Sequence, residues 1–277
     1  MNKGLKLILI LLVITILTTL YARYIGTMGL ITKEYTIKDN EIPSSFDGLK
    51  IVHFSDLHYK RAINEEKVEK IIEEINLINP DIVVFTGDLI DKDIIPNEAD
   101  YEFLIKSLSK IKTKYGKYSV LGNHDYNEKE EILKVFQKSG FKYLENEYDI
   151  IYKNNEKLLI GGLGNVTYGE DFIDEIVSSE NVDYQITLVH EPDASDDIVK
   201  YTNTNLILAG HSHNGQVRLP IIGALIKPRY AEKYYKEYYK IEDTKLYISS
   251  GIGVSTLNYR LFNHPSINFY RINKQNS

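Results

Sequence analysis

The sequence predicts an α/β sandwich, and two observations carry that prediction. Apolar runs of strand length, among them "KIVHFS", "DIVVFTG", "YSVLG", "YQITLV" and "NLILAG", alternate with stretches of helical apolar spacing. Such alternation belongs to layered α/β folds rather than all-β ones. At 277 residues, 43% of them hydrophobic, the chain can also bury the core of one large domain. No internal repeat, low-complexity tract or linker divides it after residue 33.

The elements follow in order. "MNKGLKLILILLVITILTTLYARYIG" has a short basic head, then an almost unbroken apolar run from Leu7 to Leu20, extendable to Ile25. Residues 1–32 are therefore expected to be an uncleaved membrane anchor. The run is longer than most signal-peptide cores, a cut after Ala22 would put Leu20 at the third position back, and no lipoprotein cysteine follows. A cleaved signal segment is the alternative. No polar face interrupts the run, as a buried soluble helix would require.

Residues 33–277 are read as one folded domain. "KEYTIKDNEIP" alternates as a strand does, and "KIVHFSDLH" is a buried strand ending in polar residues. In "NEEKVEKIIEEINLINP", Val68, Ile71, Ile72, Ile75 and Ile78 mark a helix closed by Pro80. Further helices are expected over Asn97–Ile111, Glu128–Ser139, Asp171–Ser178 and Ala194–Tyr201. Strands are expected near 149–152 and 157–161, and at "KLYISSG" and "SINFYRI".

Composition narrows the chemistry. With no cysteine, disulfides, thiolate metal sites and cysteine nucleophiles are excluded, so any metal is held by nitrogen and oxygen. The net charge is −6, but residues 1–32 contain Lys3, Lys6 and Arg23 and no acid. The remainder thus has 30 basic against 39 acidic residues, or −9. Non-specific nucleic-acid binding is not expected of such a domain.

Five buried strands stop at metal-capable residues: Asp56 and His58, Asp88, Asn123 and His124, His190, and His211 with His213. These include five of the chain's seven histidines. In a mainly parallel sheet such ends lie side by side at the carboxyl edge, where open α/β sheets bind ligands.

The blocks "DLH", "GDLID", "GNHD", "LVHEPD" and "GHSHNGQ" resemble, in order, the successive motifs of the calcineurin-like metallophosphoesterases, over about residues 49–270. "SSGIGVSTLNYRLFNHPSI" is similar to the ending found in the membrane-linked bacterial branch. The resemblance implies a four-layer αββα sandwich, here preceded by one transmembrane helix, and two divalent metal ions. Carried over, it gives Asp56, His58, Asp88 and His213 to one metal and Asp88, Asn123, His190 and His211 to the other, with Asp88 bridging. Cations about 4 Å apart need such a shared anionic ligand. Mixed imidazole and carboxylate donors suit manganese, iron or zinc. A hydroxide between the metals would attack phosphorus in line. His124 would assist at the phosphate or the leaving-group oxygen, with Asp125 orienting its imidazole.

The expected function is therefore metal-dependent phosphoester hydrolysis, as a phosphodiesterase or phosphatase, on a membrane- or envelope-associated substrate. Lipid-linked, nucleotide-sugar and cell-wall phosphoesters are the candidates. The alternative is a catalytically silent metal-binding envelope protein of the same fold. Lys3 and Lys6 precede the apolar run, whereas Arg23 and, about a dozen residues on, Lys33 follow it. Two lysines against the one adjacent arginine set the domain outside the cytoplasm by the positive-inside bias, a margin that Lys33 narrows to two against two.

Other residues are read as structural. His53, inside its strand, is expected to pack under the adjacent layer, and His264 to sit in a turn near the site mouth. "GGLG" (161–164) is a tight strand exit. "KPRYAEKYYKEYY" (227–239), with interleaved lysines and tyrosines, reads as a solvated hairpin, or alternatively as a contact for a substrate headgroup or membrane surface.

Overall fold

The computed structural model describes residues 1–275. Helix α1 (Lys3–Leu20) continues through a π turn to Ile25, and β1 (Ile31–Asp39) follows. Strand and helix then alternate: β2 (Leu49–Phe54), α2 (Glu65–Ile78), β3 (Ile82–Thr86), α3 (Glu98–Ser109), β4 (Gly116–Val120), α4 (Lys129–Ser139) and β5 (Phe141–Tyr143). A hairpin of β6 (Glu147–Lys153) and β7 (Glu156–Gly162) leads to β8 (Tyr184–Val189), α5 (Ser195–Tyr201) and β9 (Leu206–Ala209). A small hairpin, β10 (Arg218–Leu219) and β11 (Gly223–Ala224), precedes β12 (Tyr238–Ile241), β13 (Thr244–Ile248) and β14 (Ser266–Lys274).

Local chemistry sets the boundaries. The Asn64 side chain accepts the Lys67 amide at 3.1 Å to start α2, which stops where Asn79 turns left-handed ahead of Pro80. Asn97 and Asp100 cap α3 reciprocally.

The strands form two six-stranded sheets, ordered β1-β14-β2-β3-β4-β5 and β12-β13-β9-β8-β7-β6. Strands β2 to β5 run parallel, as do β7, β8, β9 and β13. Alternation along each strand divides the core. Ile51, Ile82 and Val84 face Ile186, Leu188 and Leu208 between the sheets. Val52, Phe54, Val83 and Phe85 point outward, beneath residues of α2, α3 and α4. Ile207, Leu246 and Ile248 meet Ile198 of α5 on the other side. This is the αββα sandwich, with a thin fourth layer.

Three expectations change. The converging strand ends belong to two sheets, not one edge, because the first parallel set ends at β5 and the chain crosses before β6, whose hairpin with β7 starts the second sheet. Residues 171–178 hold only one 3-10 turn, Ile173–Ile176; so short an acidic stretch with a single buried anchor, Ile176, does not nucleate an α-helix. The 227–239 stretch is no hairpin. Only its end pairs with β13, and Asp193 accepts the amides of Glu232, Lys233 and Tyr234, wrapping the rest over α5.

Candidate metal centre

The carboxyl ends of β2, β3 and β4 face those of β8 and β9 across the seam between the sheets. The ends are sewn together there. His190 Nδ1 lies 2.6 Å from the Thr86 carbonyl oxygen, and the His211 amide donates to the Asp56 carboxylate at 3.1 and 3.3 Å. Glycine is required at two of these exits. A side chain on Gly122 would strike Asp88, and one on Gly210 would strike Ser55.

The backbone at the exits is strained. Asp56, His58, Asp88, His211 and His213 have φ of 52°, 44°, 59°, 64° and 48°. Asp and His tolerate the left-handed region better than most residues, but each such conformation still costs on the order of 1 kcal/mol. Five strained residues converging on one point mark a site kept for chemistry rather than stability.

The side chains form two groups that share one atom. His213 Nε2 is 3.3 Å from His58 Nε2 and 3.3 Å from Asp56 Oδ1. His190 Nε2 is 3.2 Å from His211 Nδ1 and 3.2 Å from Asn123 Oδ1. Between the groups, Asp88 Oδ2 lies 3.5 Å from His58 Nε2 and 3.4 Å from His190 Nε2. Its other oxygen accepts the His124 amide at 2.8 Å, so the carboxylate cannot swing away. Metal–donor bonds of about 2.0–2.2 Å separate neighbouring donors by about 3.0 Å in an octahedral set and about 3.5 Å in a tetrahedral one. The observed spacings fit both groups to a divalent cation. Asp56, His58 and His213, and likewise Asp88, His190 and His211, offer donors within 4.8 Å of one another.

Outer contacts fix the imidazoles. His190 points Nδ1 at a carbonyl, and His211 points Nε2 at the Arg229 carbonyl at 2.8 Å. In each the opposite nitrogen is left bare toward the centre. His58 Nδ1 faces Asp91 Oδ2 at 3.3 Å, and among the described residues neither atom makes another hydrogen bond. The His58, Asp91 and His124 cluster is thus explained as orientation of His58.

Charge favours cations. Asp56, Asp88, Asp91, Asp125 and Glu191 are buried around the centre against one buried guanidinium, Arg260. Burial alone would raise Asp88, but the His190 and His124 imidazoles hold it well below the usual carboxylate range. Burial lowers His211 to about 4 and depresses His213 as well, so both present neutral rings.

All seven expected ligands meet at this centre. His124 is there too, outside the two donor groups, its Nδ1 accepting the Lys92 amide at 3.3 Å. Asp125 does not orient it. The first turn after "GNH" buries that carboxylate under the loop, where it accepts the amides of Asp88, Leu89 and Gly122, each at 2.8 Å. The carboxylate nearest His124 Nδ1 is Asp91, at 3.8 Å. Burial and the neighbouring Asp88 push Asp125 up to about 7 against the pull of those amides.

His53 is buried, 2.8 Å from the Thr86 hydroxyl and stacked on Tyr270, and burial lowers it to about 3. His264 is exposed in an irregular segment, and "GGLG" closes β7 with the Gly164 amide on Asn146. Three residues went unassigned by sequence reasoning. Asp91 lies within the quoted "GDLID", and Glu191, in "HEPD", accepts from Thr167 at 2.8 Å. Arg260, fully buried, brings Nη2 to 3.3 Å from His213 Nδ1 and donates to the Gly251 and Gly253 carbonyls.

A pocket of about 290 Å³ opens onto the centre, lined by Asp88, Asn123, His124, His211 and His213 and rimmed by Thr167, Gln216, Arg229 and Leu257. A sequence model described as calcineurin-like phosphoesterase matches residues 49–215. The uncharacterized metallophosphoesterase YkuE of Bacillus subtilis is 33% identical over 260 residues, covering 92% of this chain and 90% of that one. A Danio rerio transmembrane protein with a metallophosphoesterase domain is 24% identical over 91% of this chain and 61% of its own. Among solved structures, the Thermus thermophilus sulfate thiohydrolase SoxB matches 82% of this chain and 57% of its own with a TM-score of 0.50. At 11% identity that is a likeness of fold.

Proposed function

The chain belongs to the calcineurin-like phosphoesterase family, and from that premise we propose that it hydrolyses phosphoester bonds with two divalent cations held between its sheets. One observation carries the reading: a single oxygen, Asp88 Oδ2, stands within 3.5 Å of a histidine from each donor group. Adjacent cations need a shared anion of this kind. Asp56, His58, Asp88 and His213 would hold one, and Asp88, Asn123, His190 and His211 the other. When bound, the pair supplies charge neutralisation at phosphorus and acidifies water to a nucleophile at neutral pH.

The chain's own contribution is orientation and proton placement. With Nδ1 of His124 accepting the Lys92 amide, the ring proton sits on Nε2, available to a phosphate or leaving-group oxygen in the pocket. The imidazole-rich donor set favours manganese, iron or zinc over calcium. Chelation should therefore silence turnover of a chromogenic phosphodiester, and manganese should restore it better than calcium. Equal rescue by calcium would sink the metal assignment; no turnover with any of these metals would sink the hydrolase.

Residues 1–32 are assigned as a single-pass anchor. The helix from Lys3 to Ile25 has 23 residues, about 35 Å at 1.5 Å per residue against a hydrocarbon core of about 30 Å. Lys3 and Lys6 set its start in the cytoplasm and the catalytic domain outside, facing a lipid-linked, nucleotide-sugar or cell-wall phosphoester. Protease added to intact cells should digest the domain. Complete protection, reversed by permeabilisation, would place it inside.

A further inference from the structure

Exposed apolar side chains gather beside the pocket. At the tip of the β10–β11 hairpin, Ile221 and Ile222 are 107% and 69% exposed, where turns are ordinarily polar. Ile221 also adopts φ of 70°, an outlier for a β-branched residue. Leu225, Ile226, Leu257 and Phe262 are exposed as well, and Phe262 shares a surface hollow with the hairpin tip.

This surface is tied to the exit of the apolar helix. The Arg260 amide donates to the Ala22 carbonyl at 2.9 Å, and the Arg23 guanidinium to the Asn258 carbonyl at 3.1 Å. Ala22 and Gly26 are buried there, while Tyr24, Ile25 and Met28 stay exposed. One residue on, Leu261 pairs with Val217, and its carbonyl accepts the Arg218 amide at 3.0 Å. The hairpin is thus two hydrogen-bonded steps from the point where the anchor would leave the bilayer.

The flank of this surface is cationic and aromatic. Lys227, Arg229 and Lys236 are exposed, with Lys227 Nζ 3.9 Å from the centre of the Tyr235 ring and Arg229 4.6 Å from that of Tyr230. Such pairs suit the headgroup layer, and in a domain of charge −9 they are the local exception.

We propose that residues 216–229 and 255–262, with Lys236 beside them, form a second bilayer contact. The apolar tip enters the boundary between headgroups and acyl chains, and Lys227, Arg229 and Lys236 meet anionic headgroups. Val217, Ile226, Leu257 and Arg229 also line the catalytic pocket, so its mouth is held at headgroup level and the substrate narrows to phosphoesters carried by membrane lipid. The contact rests on the anchor assignment, and the substrate class on the hydrolase reading as well.

The chain contains no tryptophan, so single tryptophans report cleanly. The full chain is reconstituted in phosphatidylcholine–phosphatidylglycerol vesicles with brominated acyl chains, carrying Leu12→Trp in the anchor, Ile222→Trp in the tip, or Leu77→Trp on α2, where Leu77 is 78% exposed. Leu12→Trp and Ile222→Trp should be quenched and Leu77→Trp should not. Quenching at Leu12→Trp without quenching at Ile222→Trp overturns the contact; no quenching at Leu12→Trp overturns the anchor and the contact with it.

A second readout compares p-nitrophenyl hexadecyl phosphate in vesicles with bis(p-nitrophenyl) phosphate in solution. Replacing both tip residues, Ile221→Asp with Ile222→Asp, should lower turnover of the first roughly tenfold through lost positioning and leave the second unchanged. Equal effects on both overturn the positioning. If the wild-type chain turns over neither, the hydrolase reading and the substrate class fail, while quenching still decides the contact.

Discussion

Asp88→Asn is expected to abolish activity and strip both cations together. Among the described residues, Asp88 is the one side chain whose oxygen touches both donor groups, through His58 Nε2 and His190 Nε2. Asparagine still offers an oxygen to the His124 amide, so the loop should keep its fold, but it removes the negative charge that two adjacent cations share. Outer contacts alone are worth about 10–100-fold in metal affinity, so a shared ligand should cost more than about a hundredfold. Elemental analysis after dialysis, beside turnover of a chromogenic phosphodiester, checks this. Two retained metals with wild-type turnover would remove Asp88 from the bridge.

How far the site was legible follows from what each residue depends on. Asp56, His58, Asp88, Asn123, His190, His211 and His213 could be found because each comes within a few residues of the end of an apolar strand, and strand ends are readable from local pattern. The outer contacts depend on distant backbone. Arg260 reaches His213 across 47 positions, and His190 points Nδ1 into the other sheet. Asp125 shows how sequence adjacency misleads. It follows His124 directly, yet the 3-10 turn starting there directs its carboxylate at the amides of the β3 exit. Asp91, 33 positions earlier, is the carboxylate beside the ring. The stacking of two sheets was likewise invisible to periodicity, since alternating strands and helices look the same in one sheet or two. Only the resemblance implied four layers, and the chain changes sheets between β5 and β6. The left-handed φ values at the strand exits have no apolar pattern at all, only residue types that tolerate them.

His124→Ala should separate chemistry from metal binding. The ring lines the pocket, but its Nδ1 is committed to the Lys92 amide and it belongs to neither donor group around Asp88. Both cations should therefore remain while the rate falls about 10²–10⁴-fold, the usual worth of a positioned acid or base. Asp91→Ala gives the contrasting result. That carboxylate lies 3.3 Å from His58 Nδ1 and orients a ligand, so its loss should weaken the cations about 10–100-fold. Saturating manganese should then recover much of the rate in Asp91→Ala and none in His124→Ala. If His124 delivers a proton to the departing oxygen, its removal must hurt an alkyl ester more than a p-nitrophenyl ester, because p-nitrophenolate leaves without help. Equal losses on both esters would confine His124 to the non-bridging phosphate oxygens, and loss of metal would make it a ligand.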